Sequence, residues 1–208
     1  GRDFYYMDSG YLGNSTSELN PMGNKIWHRI VRNNLQHEQV MKRPSDRFEA
    51  LKISYHPRRQ GSTIIVATPD EKPCRFYGID RDQWIRDTVI TIQQHTDRPI
   101  VIRSRDPNRQ NRVNNDLGRA LRDVHALVTF NSIAATESIL AGIPAFVLAP
   151  CNAARPVANT NLEHIEDPWW PDSDQIHAWA CHLAYGQFHN TELLNGTAQR
   201  ILQETFHA

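Results

Sequence analysis

Apolar and polar positions follow two rhythms along this chain. The clearest stretch is 125–150, HALVTFNSIAATESILAGIPAFVLAP, in which two apolar runs flank a short helical pattern. The periodicity predicts a buried strand over 126–130, a tight turn at Asn131-Ser132, a helix over 133–141 and a second buried strand over 144–148. Each boundary has a chemical marker. Asn131 or Ser132 can cap the helix by accepting from an orphan amide, Gly142 tolerates the positive φ of a C-terminal cap, and Pro144 prevents the helix from resuming. Upstream, STIIVATP (62–69) reads as another buried strand, and 80–95 as a helix whose Trp84, Ile85, Thr88, Val89 and Ile92 share one face. A turn at 97–99, a strand over 100–103 and a short amphipathic helix over 114–123 complete the alternation. Buried strands alternating with helices predict an α/β fold, a Rossmann-like doubly wound parallel sheet covered on both faces.

The opening of the chain keeps the other rhythm. Strand-forming aromatics fill 2–7 (RDFYYM) ahead of a polar, glycine-containing loop over 8–14. KIWHRIVR (25–32) alternates Ile26, His28 and Ile30 against Trp27, Arg29 and Val31, the period of a strand that pairs with the first. Residues 33–61 carry the breakers Pro44, Pro57 and Gly61 and read as loop or linker with a short helix over 47–51. The chain therefore divides into a reduced N-terminal portion, 1–61, and a Rossmann-like domain, 62–208, a division that its length of 208 residues accommodates. Beyond the central unit, 151–168 is a long loop, a position typical of lids and ligand-contacting segments, followed by helices over 175–185 and 191–206.

Charge narrows the choice of partners. Lys+Arg and Asp+Glu both number 23, so no global field draws the chain to nucleic acid; the arginines between 103 and 112 are a local patch of the kind that still can. Cys74, Cys151 and Cys181 form an odd set without CxxC spacing, which fits reduced thiols in a cytoplasm rather than a disulfide framework. No apolar stretch reaches the ~18 residues of a membrane span and no signal-peptide pattern is present, so a soluble cytoplasmic protein without a membrane partner is expected.

In open α/β sheets, ligands gather at the carboxyl ends of strands, where helix N-termini offer amides and partial positive charge. Asn131, Ser132 and Ile133 form such a turn, and the small Ala134 and Ala135 let a phosphate approach the backbone. Thr136 and Glu137 lie one turn further on, where a carboxylate can accept both hydroxyls of a ribose. Lys72 and Arg75, in the join 68–77 after a strand, and Arg103, at the end of the next strand, are candidate phosphate clamps; a solvated surface is the plainer reading of such cations. Asp8, just after the first strand, is the candidate general base and His28 a second, against turn capping for the one and a structural hydrogen bond for the other. Trp169-Trp170 can stack on a base or sugar, or pack on a sheet edge. Asp172-Ser173-Asp174 mimics a metal-binding DxD but opens a helix, where acidic residues meet the dipole. His177 and Cys181 supply only two ligands, so no metal site is expected.

The string FNSIAATESILAGIPAFVLAP (130–150) resembles the nucleotide-sugar half of GT-B glycosyltransferases, particularly the capsule and Kdo-transferase-like group. The shared pattern is a strand ending in Asn-Ser, a Glu-containing helix and a return strand after Gly-x-Pro. The opening Tyr5-Tyr6-Met7-Asp8-Ser9-Gly10-Tyr11 and the stretch WACHLAYGQF (179–188) extend the likeness to short glycosyltransferase-like proteins of tailed bacteriophages. The resemblance implies a parallel sheet of the GT-B C-terminal-half type. It also implies transfer of a sugar from a nucleotide-sugar donor, in the first instance a UDP-sugar, to an acceptor hydroxyl, with no metal and no separate cofactor. The matching strand of Kdo-transferase-like proteins ends in a pattern like Arg-x-His-Pro; Arg103 matches its arginine, whereas Arg105-Asp106-Pro107 departs from the rest. The phage likeness implies a hydroxymethylated base in DNA as acceptor and the cytoplasm of a host cell as compartment. Two alternatives stand beside it. One is a non-catalytic nucleotide-binding module, either a sponge for a signalling nucleotide or the donor-binding half of a larger assembly; the other is a nucleotide-sugar epimerase using His56 or His125.

Overall fold

The structure, a computed structural model, describes residues 3–14, 26–104 and 120–206. Its elements run β1 (Tyr5–Ser9), β2 (Trp27–Arg32), α1 (Asp46–Ala50), β3 (Thr63–Ala67), α2 (Glu71–Tyr77), α3 (Arg81–Gln93), β4 (Ile100–Arg103) and β5 (Val124–Thr129). They continue with α4 (Ala134–Leu140), β6 (Ala145–Val147), α5 (Ser173–Tyr185), β7 (Gln187–His189), α6 (Asn190–Leu194) and α7 (Thr197–Phe206). The chain divides into two compact units, Tyr55–Ser173 and Gly1–Ser54 with Asp174–Ala208. This differs from the expected division at 61/62, because β7 pairs with β2 and carries the C-terminal helices into the unit that holds β1.

The unit Tyr55–Ser173 is built on a parallel sheet of order β4-β3-β5-β6, the doubly wound α/β arrangement expected from the alternation. All six residues of β5 are buried, which is why its sequence runs apolar rather than alternating. Ile64, Val66, Ala126, Val128 and Phe146 form one core layer, closed by Ile92 of α3 and by Leu162 and Ile165. From β3 the chain winds outward to β4 on one side, and from β5 to β6 on the other. Right-handed crossovers in opposite directions put α3 and α4 on opposite faces. The side chain of Asp80 caps α3 by accepting from the Gln83 amide at 2.7 Å.

Two expectations for this unit are corrected. Residues 68–77, expected as a loop, contain α2, because Pro73 falls in the first turn of a helix, where its missing N–H costs nothing. The segment 151–168, expected as a long loop of the kind that forms lids, is a packed wall with short 3₁₀ turns at Arg155–Val157 and Leu162–His164, and Ala153, Ala154 and Val157 are no more than 2% exposed. Asn159 bridges parallel to Phe146 and so widens the sheet edge by one residue. The helix expected over 114–123 lies mostly outside the described residues, as do Arg105, Arg109 and Arg112 of the arginine patch.

The other unit holds an antiparallel sheet, β1-β2-β7. Asp8 lies within β1 rather than beyond it, opposite Arg29, while Ser9 lies opposite His28. Arg29 is 5% exposed, and its guanidinium donates to Asp8 at 3.0 Å, to the Ser9 carbonyl at 2.7 Å and to the Leu35 carbonyl at 3.2 Å. Gln187, fully buried, accepts from the Leu12 amide and donates to its carbonyl, so a side chain replaces a missing strand neighbour. Arg47 reaches the carbonyls of Ala184 and Gln187 and grips Glu192 with two nitrogens, at 2.6 and 3.0 Å. The closing helix expected over 191–206 is split into α6 and α7 at Asn195-Gly196, where Gly196 has φ +83°. Among the described residues no helix is long and apolar enough to cross a membrane.

Candidate functional site

The order β4-β3-β5-β6 makes the neighbouring β3 and β5 the point at which winding reverses, the place where open α/β sheets bind ligands beyond the carboxyl ends of their strands. What lines that end is polar. The Thr68 amide donates to the Arg103 carbonyl at 3.0 Å, which prolongs the β3–β4 pairing and sets Thr68 beside Ser104. Their hydroxyls lie 3.3 Å apart, and one nitrogen of Arg81 donates to both, at 3.1 Å to Thr68 and 3.2 Å to Ser104. The Nε of Arg81 is buried with no protein partner, so the guanidinium is positioned but incompletely satisfied. Burial pushes the thiol of nearby Cys74 up, an effect that Arg81 only partly offsets, so Cys74 is a poor nucleophile.

On the β5 side, Thr129 donates to the Ala67 carbonyl at 3.0 Å and accepts from the Ser132 amide at 3.4 Å, tying the turn to β3. Ser132 then caps the start of α4 by accepting from the Ala134 amide at 3.2 Å, the role its position predicts. The amides of Ala135, Thr136 and Glu137 are bonded to the carbonyls of Ser132 and Ile133. Of the amides of residues 132–137, only that of Ile133 lacks a protein acceptor among the described residues. Thr136 is buried, and its Oγ1 has no partner. Phe130 closes the end of β5, edge-on to Tyr77 at 5.2 Å and Trp84 at 6.0 Å between ring centres.

Among the residues singled out from sequence, Arg103, Asn131, Ser132, Ile133, Thr136 and Glu137 lie at or just beyond the strands' carboxyl ends. Lys72 and Arg75 instead ride the exposed part of α2. The cation that does meet the strand-end hydroxyls is Arg81, which sequence reasoning missed; its signal was a basic residue at the first position of a capped helix after the first parallel strand. Asp8 and His28 belong to the antiparallel unit and project from opposite faces of its sheet, because Asp8 shares a face with Arg29 and side chains alternate along β2. Asp8 also accepts from the Ser9 amide at 2.7 Å and from the Tyr6 hydroxyl at 3.2 Å. His125 sits near the amino end of β5, away from the strands' carboxyl ends, and donates from Nε2 to the Ile165 carbonyl at 2.7 Å. Burial lowers its pKa and that bond works against the shift, so the ring is a neutral structural donor. No three His, Cys, Asp or Glu side chains are grouped to hold a metal among the described residues; His177 and Cys181 touch at 3.5 Å.

No protein-family model matches the chain, and no curated protein does. Among solved structures, the beta Kdo 2,4 transferase KpsC of Thermosulfurimonas dismutans aligns with 92% of this chain and 78% of its own, at 10% identity and a TM-score of 0.48. A likeness of that degree assigns no activity and no residue role.

Proposed function

We propose that the protein is a nucleotide-sugar-dependent glycosyltransferase whose donor lies at the carboxyl ends of β3 and β5, with its phosphates against Arg81. The reading is carried by one observation: a guanidinium held by Thr68 and Ser104 at the carboxyl ends of β3 and β4, beside the winding reversal, with its Nε buried and unpartnered. Charge-assisted donors fixed before the reaction stabilise a departing diphosphate without reorganising. In the step, the acceptor oxygen attacks the anomeric carbon, the bond from that carbon to the diphosphate oxygen breaks, and the nucleoside diphosphate leaves with the bonding pair. The hydroxyl proton passes to a base or to water. The Ile133 amide and the Ser132 hydroxyl add donors beside the leaving group, and Glu137, half-buried one turn on, is assigned the ribose diol.

Calorimetric titration with UDP- and GDP-sugars tests the donor site. Arg81→Ala is expected to weaken binding by about 1.5–3 kcal/mol, the range for a hydrogen bond to a charged group. Unchanged affinity moves the phosphates elsewhere. Acceptors are tested by incubating the chain with sugar nucleotides and DNA containing hydroxymethylcytosine, then digesting to nucleosides for mass spectrometry.

A second reading, a nucleotide-binding module without turnover, is favoured by the engagement of Asp8 with Arg29, Tyr6 and the Ser9 amide, and by the α4 amides being bonded within their own turn. Release of free nucleoside diphosphate from donor separates the two. Tight binding of sugar-free nucleotide without release selects the module.

A further inference from the structure

Within the unit Tyr55–Ser173, beside the β6 edge of the parallel sheet, a groove of about 480 Å³ is lined by Arg58, Asn159, His164, Asp167, Trp169 and Trp170, together with Pro168. It differs from a chance surface hollow in the way Trp169 is held. The buried side chain of Asn159 accepts from the Trp169 amide at 2.9 Å and donates to the Trp169 carbonyl at 3.0 Å, so both backbone groups of the residue are fixed to the sheet edge. The preceding turn is pinned as well, by His125 on the Ile165 carbonyl and by Arg98 on both oxygens of Glu166 at 3.1 Å. Yet Trp169, with its backbone held in this way, is 47% exposed. An exposed aromatic residue on a fixed backbone is a partly preorganised stacking platform, because the backbone's ordering cost is met before any ligand arrives.

The polar groups around it narrow the ligand class. Among the described residues neither Arg58 nor Asp167 enters a salt bridge, so a donor-only guanidinium and an acceptor-only carboxylate both remain open to the groove. His164 adds a ring that both donates and accepts. A phosphate would be repelled by Asp167, and an ammonium by Arg58. A polyhydroxylated ring meets both, since each hydroxyl donates and accepts, and its axial C–H face lies flat on an indole. We propose that this groove is a saccharide-binding site, with Trp169 stacked on a sugar ring and Arg58, His164 and Asp167 bonded to its hydroxyls. The site lies on the sheet edge rather than at the winding reversal, and it stands or falls apart from the transferase reading because its measurement needs no nucleotide.

The test follows indole N–H resonances of the full chain during titration with the neutral saccharides cellotetraose, chitotetraose and maltotetraose, with uridine monophosphate as a separate arm. The Trp169 signal is identified by its loss in Trp169→Phe. At least one saccharide is expected to shift that signal, Trp169→Ala to weaken its binding roughly tenfold, and Asp167→Asn, at an exposed position that leaves the fold intact, to weaken it several-fold. The proposal is overturned if no saccharide moves the Trp169 resonance at millimolar concentration, if Trp169→Ala and Asp167→Asn both bind as the unmodified chain does, or if uridine monophosphate alone shifts the signal.

Discussion

Every position of β5 is buried, and apart from His125 and Thr129 its side chains are apolar; in β2 the two buried positions are Arg29 and Val31. The contrast extends to the units that hold these strands. The parallel sheet is closed by aliphatic and aromatic contacts around Ile64, Val66 and Phe146, and its polar groups are gathered at the strand ends. The antiparallel unit buries Arg29, Gln187 and His182, half-buries His37, and joins its segments through charge-assisted bonds such as Arg47 to Glu192. Apolar burial is indifferent to pH, whereas buried ionisable groups make stability depend on it. The parallel unit buries one such group, His125, whereas the antiparallel unit sets His37 and His182 side by side, so its integrity follows the solution more closely.

The largest expected effect comes from acid. Burial, then the neighbouring His182, Arg29 and Arg43, lower the pKa of His37 to about 3, and burial followed by Arg43 lowers that of His182 to about 4. The Met41 amide donates to Nδ1 of His182, which fixes the neutral ring. Both groups are neutral when folded and take up protons more readily when unfolded. Their contribution is therefore fully present above about pH 6.5 and is lost as pH falls toward their folded values, by roughly 1.4 kcal/mol per pH unit for each imidazole. Hydrogen exchange should show β1, β2 and β7 losing protection near pH 5 while β3 and β5 keep theirs. Simultaneous loss in both sheets would break the comparison.

Next in size, Arg47→Ala removes the partner of a largely buried carboxylate. Burial pushes the Glu192 carboxyl up, but its bonds to Arg47 and to the His189 amide outweigh this and leave it lowered. The substitution is expected to cost about 3–5 kcal/mol in urea unfolding, the range for breaking one side of a buried pair. A loss below 1 kcal/mol would mean that the network is ornamental. In the parallel unit the comparable weak point is backbone rather than charge. Gly142 has φ +82°, and a Cβ there would sit 2.2 Å from the Pro57 carbonyl oxygen, so Gly142→Ala should cost about 1–3 kcal/mol with no change in pH dependence. Smallest is Asp8→Asn. Because Asp8 is 41% exposed, its pairing with Arg29 is screened and the expected loss is about 1 kcal/mol. A collapse of sugar transfer with that small stability change would give Asp8 a catalytic role; transfer falling only in step with stability would leave it a partner of Arg29.

The stretch 125–150 was readable in advance because its fold depends on neighbours in sequence: continuous apolar runs need two covered faces, and Ser132 and Gly142 mark the ends of α4 by local geometry. Lys72 and Arg75 were misplaced for the same local reason, since Pro73 looks like a breaker until its position within the first turn is known. Arg81 was readable only in its place at the start of a capped helix, not in what it would meet. Its partners Thr68 and Ser104 come together only because β3 and β4 pair, and no periodicity reports which strands become neighbours.

Sequence by itself determined the parallel α/β unit, the capped turn after β5 and the positions where α4 and α5 stop, because hydrophobic period and backbone preference act over a few residues. Tertiary structure alone decided that Arg29 would be buried against Asp8, that Arg81 would reach two hydroxyls, and that Asn159 would hold Trp169 open to water beside Arg58 and Asp167. Each of those depends on groups drawn from different strands or turns. A polar side chain takes whichever partner the completed packing leaves within about 3 Å, and that distance is set only when the whole unit closes.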